Sequence, residues 1–352
     1  MRKLIIAVVL FLAIVFALTR MADIEQVART FTRGDARWLG MAILVHAVAL
    51  LNVGILLQAV YRVLGMQEKA GRLAVVAVAS SFFTVITSSG GWGGLAIFIA
   101  DGRRRGLPTG RVAVAAAMYY LYDFISALAV IGLGLVVLFR RNRLEGGEVA
   151  AAAILAGYAV VLGVWLYLGF RAPEKLGQML ESGGRLVNRL LRPFVRREYI
   201  DVSRARQVAL DMGAGLQDAR RSPEGIVLPI ALALSHKALM VSVLFLVFLA
   251  FQQAFSVGTL IAGFGLGYLF MVVTPTPAGI GFVEGLLTLA LNGLGVPLAS
   301  AAVITLAYRG ITLWLVLAYG VIAMRWIGAG SASPLQANAT SATTESQSKP
   351  DG

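Results

Sequence analysis

Thr274-Pro275-Thr276-Pro277-Ala278-Gly279-Ile280-Gly281 interrupts an otherwise apolar run that extends from residue 257 to residue 296. Proline and glycine at this density end helices, because proline removes an amide donor and glycine carries a high backbone entropy cost. A second interruption, Ser88-Ser89-Gly90-Gly91-Trp92-Gly93-Gly94, divides the apolar run 73–100. Non-helical backbone at membrane depth must be buried in protein or line a wet cavity. Each break is therefore either a surface loop between short helices or the tip of a hairpin inserted in the membrane. The flanking arms are short against a hydrocarbon core of ~30 Å, which favours two hairpins whose tips meet inside it.

The two breaks resemble each other. Gly91-x-Gly93 is followed by Gly106-Leu107-Pro108 and Tyr119, and Gly279-x-Gly281 by Gly295-Val296-Pro297 and Tyr308. Each copy reads as a broken segment, a tight turn and a long helix. Such an ordered repeat marks transporter folds, in which the site lies at the repeat interface.

Composition agrees with a membrane chain. The 352 residues are 58% hydrophobic and 14% charged, against roughly 25% charge in soluble proteins. That much apolar surface excludes a soluble enzyme and a disordered chain. There is no Cys, so disulfides, thiolate metal sites and Cys nucleophiles are absent, and two His make an imidazole metal site unexpected. No metal and no cofactor is expected. The net charge of +13 reads as basic loops on the cytoplasmic side rather than as a nucleic-acid interface.

Residues 38–60 and 149–169 carry no formal charge, and 112–138, 226–250 and 298–324 carry one each. The shorter run 4–18 follows Arg2 and Lys3 and reads as a signal peptide or, preferably, an uncleaved first helix. The expected fold is all-α, a polytopic bundle of six to eight transmembrane helices with the two broken segments. Suppose the N-terminus is cytoplasmic and each break returns to its own side. Segments 61–72, 101–111 and 171–225 then hold 3, 4 and 11 Lys/Arg inside, and 19–37 and 140–148 hold 4 and 3 outside. The positive-inside rule is met, and the repeats are inverted. Within 171–225, apolar and Arg positions at helical spacing predict an amphipathic helix on the lipid surface. Residues 329–352 read as a disordered tail after a membrane domain over 1–328.

An ionisable side chain at a helix centre costs ~2.5–3.5 kcal/mol on insertion, so each needs a partner or a function. Asp123, His236, Lys237, Glu284 and Arg309 are the cases here. Glu284 falls in the first turn after the glycine break, where the helix dipole favours a carboxylate. Arg309, flanked by Thr305, Tyr308 and Thr312, offers a fork suited to carboxylate or phosphate. An Arg309–Glu284 pair that locks the second repeat and a headgroup contact at the same residues are both open. Asp123 shares a helix face with Tyr119, Tyr120 and Ser126, whose hydroxyls are candidate partners. Lys237 is the best ionic partner for Asp123, and a structural pair is the preferred reading. His46 and Asn52 read as satisfied core polar residues. Bare amides at Gly91, Gly93, Gly279 and Gly281 suit close packing or an approaching headgroup. There is no P-loop, Gly-x-Ser-x-Gly or His-Glu-x-x-His motif, so no enzyme activity is expected.

Pro277-Ala278-Gly279-Ile280-Gly281-Phe282-Val283-Glu284, then Gly295-Val296-Pro297, Ala307-Tyr308-Arg309 and Gly320, resembles the flippase-like family, also called the lysylphosphatidylglycerol synthase transmembrane region. The stretch from Gly91 to Asp123 resembles its N-terminal counterpart, departing from it with Ser88-Ser89 where proline is common and with the acidic residue displaced to Asp101. The resemblance implies movement of lipids with polar or charged headgroups between leaflets of a bacterial inner membrane. It implies membrane lipids as partners. The residues read above make Arg309, Glu284, Tyr308, Gly279, Gly281, Asp123, Lys237, Gly91 and Gly93 the candidate substrate contacts, and with only a short tail after Arg325 no soluble synthase domain is expected. The alternative is a non-catalytic scaffold for a lipid, hopanoid or isoprenoid-linked glycan pathway, recruiting a synthesis enzyme through 171–225. An ion channel or proton-coupled exporter using Asp123 and Lys237 is a third reading.

Overall fold

A computed structural model of the chain describes residues 30–87, 92–142, 146–171, 224–274 and 276–329. The expected first helix at 4–18, nearly all of the amphipathic segment 171–225 and the tail beyond residue 329 lie outside these.

The described residues are all-helical. They form α1 (Ala36–Val63), α2 (Ala70–Thr87), α3 (Trp92–Arg104), α4 (Thr109–Arg140), α5 (Gly146–Arg171), α6 (Glu224–Ala250), α7 (Val257–Val273), a 3₁₀ turn (Pro277–Gly279), α8 (Phe282–Gly293) and α9 (Leu298–Arg309). A π turn (Gly310–Trp314) carries α9 into α10 (Leu315–Ala329). Among the described residues five helices are long and apolar enough to cross a membrane: α1, α4, α5, α6 and the continuous α9–α10. Large apolar side chains such as Leu44, Leu133, Phe139, Val161 and Ile322 are exposed along them. Such a surface suits lipid and not water. The chain is a multi-pass membrane protein.

The hydrogen bonds at the helix ends settle which ends share a face. Arg111 Nη1 donates to the Leu64 carbonyl at 3.0 Å, Arg72 pairs with Asp101, and Arg105 pairs with Glu68. The end of α1, the start of α2, the end of α3 and the start of α4 are thus together, on what we call the Gly65 face. On the opposite, Asp35 face, the Asp35 amide donates to the Ala250 carbonyl at 2.9 Å. Arg141, just after α4, reaches Ser256 Oγ and Thr259 Oγ1 at the start of α7 and the Leu294 carbonyl after α8.

The α2–α3 pair therefore leaves and returns to the Gly65 face, and the α7–α8 pair leaves and returns to the Asp35 face. Thirteen-residue α3 and twelve-residue α8 are ~20 and ~18 Å long at ~1.5 Å per residue, too short for a ~30 Å core. Both breaks are hairpins, and the two hairpins are inverted.

The repeat extends to turn geometry. Gly106 and Gly295 both have positive φ, 72° and 94°, which lets a helix end in a left-handed residue. The next amide donates back in each copy, Leu107 to the Gly102 carbonyl and Val296 to the Leu291 carbonyl, both at 3.0 Å. Proline then precedes α4 and α9 alike. The turn at Gly65–Met66 matches that at Gln252–Gln253, with Met66 and Gln253 donating to the Tyr61 and Phe248 carbonyls. Hence α1, α2, α3 and α4 correspond to α6, α7, α8 and α9–α10. α1 and α6 pack on each other and join the two repeats. Each hairpin packs against the long helix of the other repeat, α2 on α10 and α7 on α4. At the first crossing a Cβ on Gly320 would sit 2.4 Å from Phe82 Cβ, so only glycine permits that approach.

Candidate functional site

The tip of the second hairpin meets the first at mid-depth. Ile280 packs with Phe82 and Val85, near the end of α2, and with Leu313 and Leu317 halfway along α9–α10. Two ion pairs stand among these helices.

The first joins three elements. Lys237 Nζ on α6 donates to Asp123 Oδ1 on α4 at 2.6 Å, and the Tyr268 hydroxyl on α7 donates to Asp123 Oδ2 at 2.5 Å. The ammonium also lies 4.1 Å from the centre of the Tyr268 ring, within cation–π range. The expected Asp123–Lys237 pairing is present. The hydroxyl that completes it comes from Tyr268, and not from the same-face residues. Ser126 donates to the Asp123 backbone carbonyl instead. The Tyr119 and Tyr120 rings stack obliquely at 5.2 Å between centroids. The Tyr120 hydroxyl borders Gly94 together with those of Ser80 and Thr84, where a Cβ would fall within 2.8 Å of all three.

The second pair pins the other hairpin. Arg309 Nε donates to Glu284 Oε1 at 2.9 Å, and Nη2 donates to the Ala278 carbonyl at 2.8 Å. Glu284 Oε2 in turn accepts from the Gly281 amide at 2.8 Å, so the carboxylate caps α8. Ala278 is left-handed at φ 49°, followed by Gly279 at 71° and Gly281 at 86°. The arginine thus holds a strained tip from within the crossing helix. Tyr308 lies in the apolar core of the second repeat, and Thr312 donates to the Tyr308 carbonyl inside the π turn, away from the guanidinium. Thr305 is fully buried, and its hydroxyl has no hydrogen-bond partner.

In both pairs the base is the hidden half. Lys237 and Arg309 side chains are 2% and 5% exposed, whereas Asp123 and Glu284 are 16% and 20% exposed. The carboxylates are the more exposed halves.

Other expected residues are placed differently. His236 faces α1, with Nδ1 3.3 Å from the Ala49 carbonyl, so His236 and Lys237 serve different neighbours. Asn52 donates to Ser235 Oγ at 2.7 Å but leaves its Oδ1 unpaired. His46 is buried with neither ring nitrogen bonded, which corrects the expectation of a satisfied core residue. Gly93 is buried at the start of α3, and Gly91 lies outside the described residues. Among the described residues no cluster of three or more metal-ligating side chains occurs. Tyr268 and the Ala278 carbonyl were not legible beforehand. The signal that could have drawn attention to the first is a tyrosine after Gly263, Gly265 and Gly267 in an apolar run.

A bundle with inverted helical hairpins and paired charges between its helices defines a repeat-built integral membrane protein. The chain belongs to the family described as the lysylphosphatidylglycerol synthase TM region, whose model matches residues 4–320. No curated protein and no solved structure matches the chain.

Proposed function

We propose that this protein carries lipids with polar or charged headgroups between the two leaflets of a bacterial cytoplasmic membrane, without catalysing a reaction on them. The observation that carries the reading is the meeting of the two inverted hairpins beside two ion pairs whose carboxylates are the more exposed halves. A headgroup passing between the hairpins meets Glu284 and Asp123 while the acyl tails remain in lipid. Its positive groups displace Arg309 or Lys237 from their carboxylates, and the released base takes up a phosphate. The pair re-forms once the headgroup leaves. Membrane lipids are the partners under this reading, and nucleic acid is not.

Leaflet exchange of a fluorescent phospholipid in proteoliposomes tests it. Glu284→Gln keeps an acceptor for the Gly281 amide but removes the charge, and Arg309→Lys keeps the charge but loses the fork. Both variants are expected to lose exchange, and each is compared with the wild type only where its melting temperature shows a folded protein, since Glu284→Gln strands the buried Arg309. Unchanged exchange in both would refute the proposal. Wild-type vesicles that exchange no faster than empty ones would refute it too, and would favour a scaffold for a lipid-synthesis enzyme.

A further inference from the structure

The Gly65 face carries a cleft of about 890 Å³ at the mouth of the first hairpin. Arg62 from the last turn of α1, Lys69 just before α2, Arg72 in α2 and Arg105 just after α3 line it, with Glu68 and Trp326. Glu68 is the one carboxylate in this lining, and Arg105 already holds it at 2.9 Å. Arg72 gives Nη2 to Asp101 at 2.8 Å, yet its Nε is buried without a partner. Arg62 and Lys69 form no ion pair among the described residues. The cleft therefore holds cations beyond those its own carboxylates neutralise.

The inverted repeat supplies an internal control. Matching Gly65–Met66 with Gln252–Gln253 sets Arg62 against Leu249, Lys69 against Ser256 and Arg72 against Thr259. Matching Gly106–Leu107 with Gly295–Val296 sets Arg105 against Leu294. The equivalent mouth on the Asp35 face is built without these cations. Arg141, beside it, spends its donors on Ser256, Thr259 and the Leu294 carbonyl. Hairpin geometry alone thus does not call for four cations, and Arg62 and Lys69 have no structural task that their counterparts lack. Trp326, 52% exposed with Arg72 5.6 Å over its ring, is the type of residue that sits at headgroup depth.

We infer that this cleft binds the phosphate group of an anionic lipid, at the Gly65 face alone. Arg62 and Lys69 supply the free donors, and Trp326 offers an apolar wall to the glycerol and upper acyl chain. Binding here is separate from leaflet exchange, so the site stands or falls independently of the transport reading.

Native mass spectrometry of the full chain in neutral detergent tests it, with phosphatidylglycerol, phosphatidylcholine and inorganic phosphate as separate probes. The wild type is expected to retain phosphatidylglycerol over phosphatidylcholine. Arg62→Gln/Lys69→Gln removes cations that hold no carboxylate, so folding is retained, and occupancy falls by about tenfold. Arg33→Gln/Arg37→Gln removes the same charge from the opposite face and leaves occupancy unchanged. Displacement of the lipid by inorganic phosphate alone assigns the site to any phosphate group, and failure to displace assigns it to the whole lipid. Equal retention of the two lipids overturns the inference, as does equal loss in the two double variants.

Discussion

Asp123 and Lys237 form a pair whose halves differ in what they lose when separated. Lys237 is fully buried, and among the described residues Asp123 is the carboxylate that neutralises it. Asp123 keeps the Tyr268 hydroxyl and some exposure without it. Breaking a buried pair from one side costs about 3–5 kcal/mol, mostly from the charge left behind. Asp123→Asn is therefore expected to lower the melting temperature in detergent more than Lys237→Met does. The double variant should recover most of the loss, since no ion is left unpaired. A double variant that melts as low as the sum of the single effects would show that the pair is not the stabilising unit. The pair was legible because a lone charge in an apolar helix demands a counter-charge. Tyr268 was not, because its role depends on α7 packing against α4, a contact between different repeats. The Ala278 carbonyl was hidden for a related reason: its availability to Arg309 follows from a left-handed backbone at that residue.

At the scale of the elements, the glycine breaks and the Gly-x-Pro turns were readable from composition, since few residues other than glycine tolerate those φ values. The π turn after Arg309 has no comparable marker beyond Gly310. Its place beside the guanidinium fits the frequent occurrence of such turns at functional sites. The two glycines of the second tip are not equivalent. Gly281 has positive φ but open space where a Cβ would point. Gly279 has positive φ, and its Cβ would fall 2.2 Å from Val283 Cγ2. Gly281→Ala should cost backbone strain alone, because φ 86° with ψ −46° lies outside the wells open to a residue with a Cβ. Gly279→Ala should add a clash to its own strain, because the tip must also move away from α8. Adding Val283→Ala should therefore restore part of the melting-temperature loss of Gly279→Ala but not that of Gly281→Ala, and no restoration in the first would place the strain elsewhere.

For the whole molecule, the sequence pattern sets both the number of polar interruptions and the bias of basic loops, but neither shows which long helix each hairpin leans on. That arrangement is an exchange, with each hairpin held by the other repeat, and it joins the two halves through α2–α10 and α7–α4 as well as through the α1–α6 contact. The inversion itself is open to a direct test, because the chain contains no cysteine. Arg103 near the end of α3 and Asn292 near the end of α8 are equivalent positions, both exposed, on the Gly65 and Asp35 faces respectively. Arg103→Cys and Asn292→Cys, made singly, should react with a membrane-impermeant maleimide from opposite sides of sealed vesicles. The basic loops assign Arg103 to the cytoplasmic side. Labelling of both from one side would mean that one pair of short helices crosses the membrane rather than turning back within it, and the repeats would then be parallel.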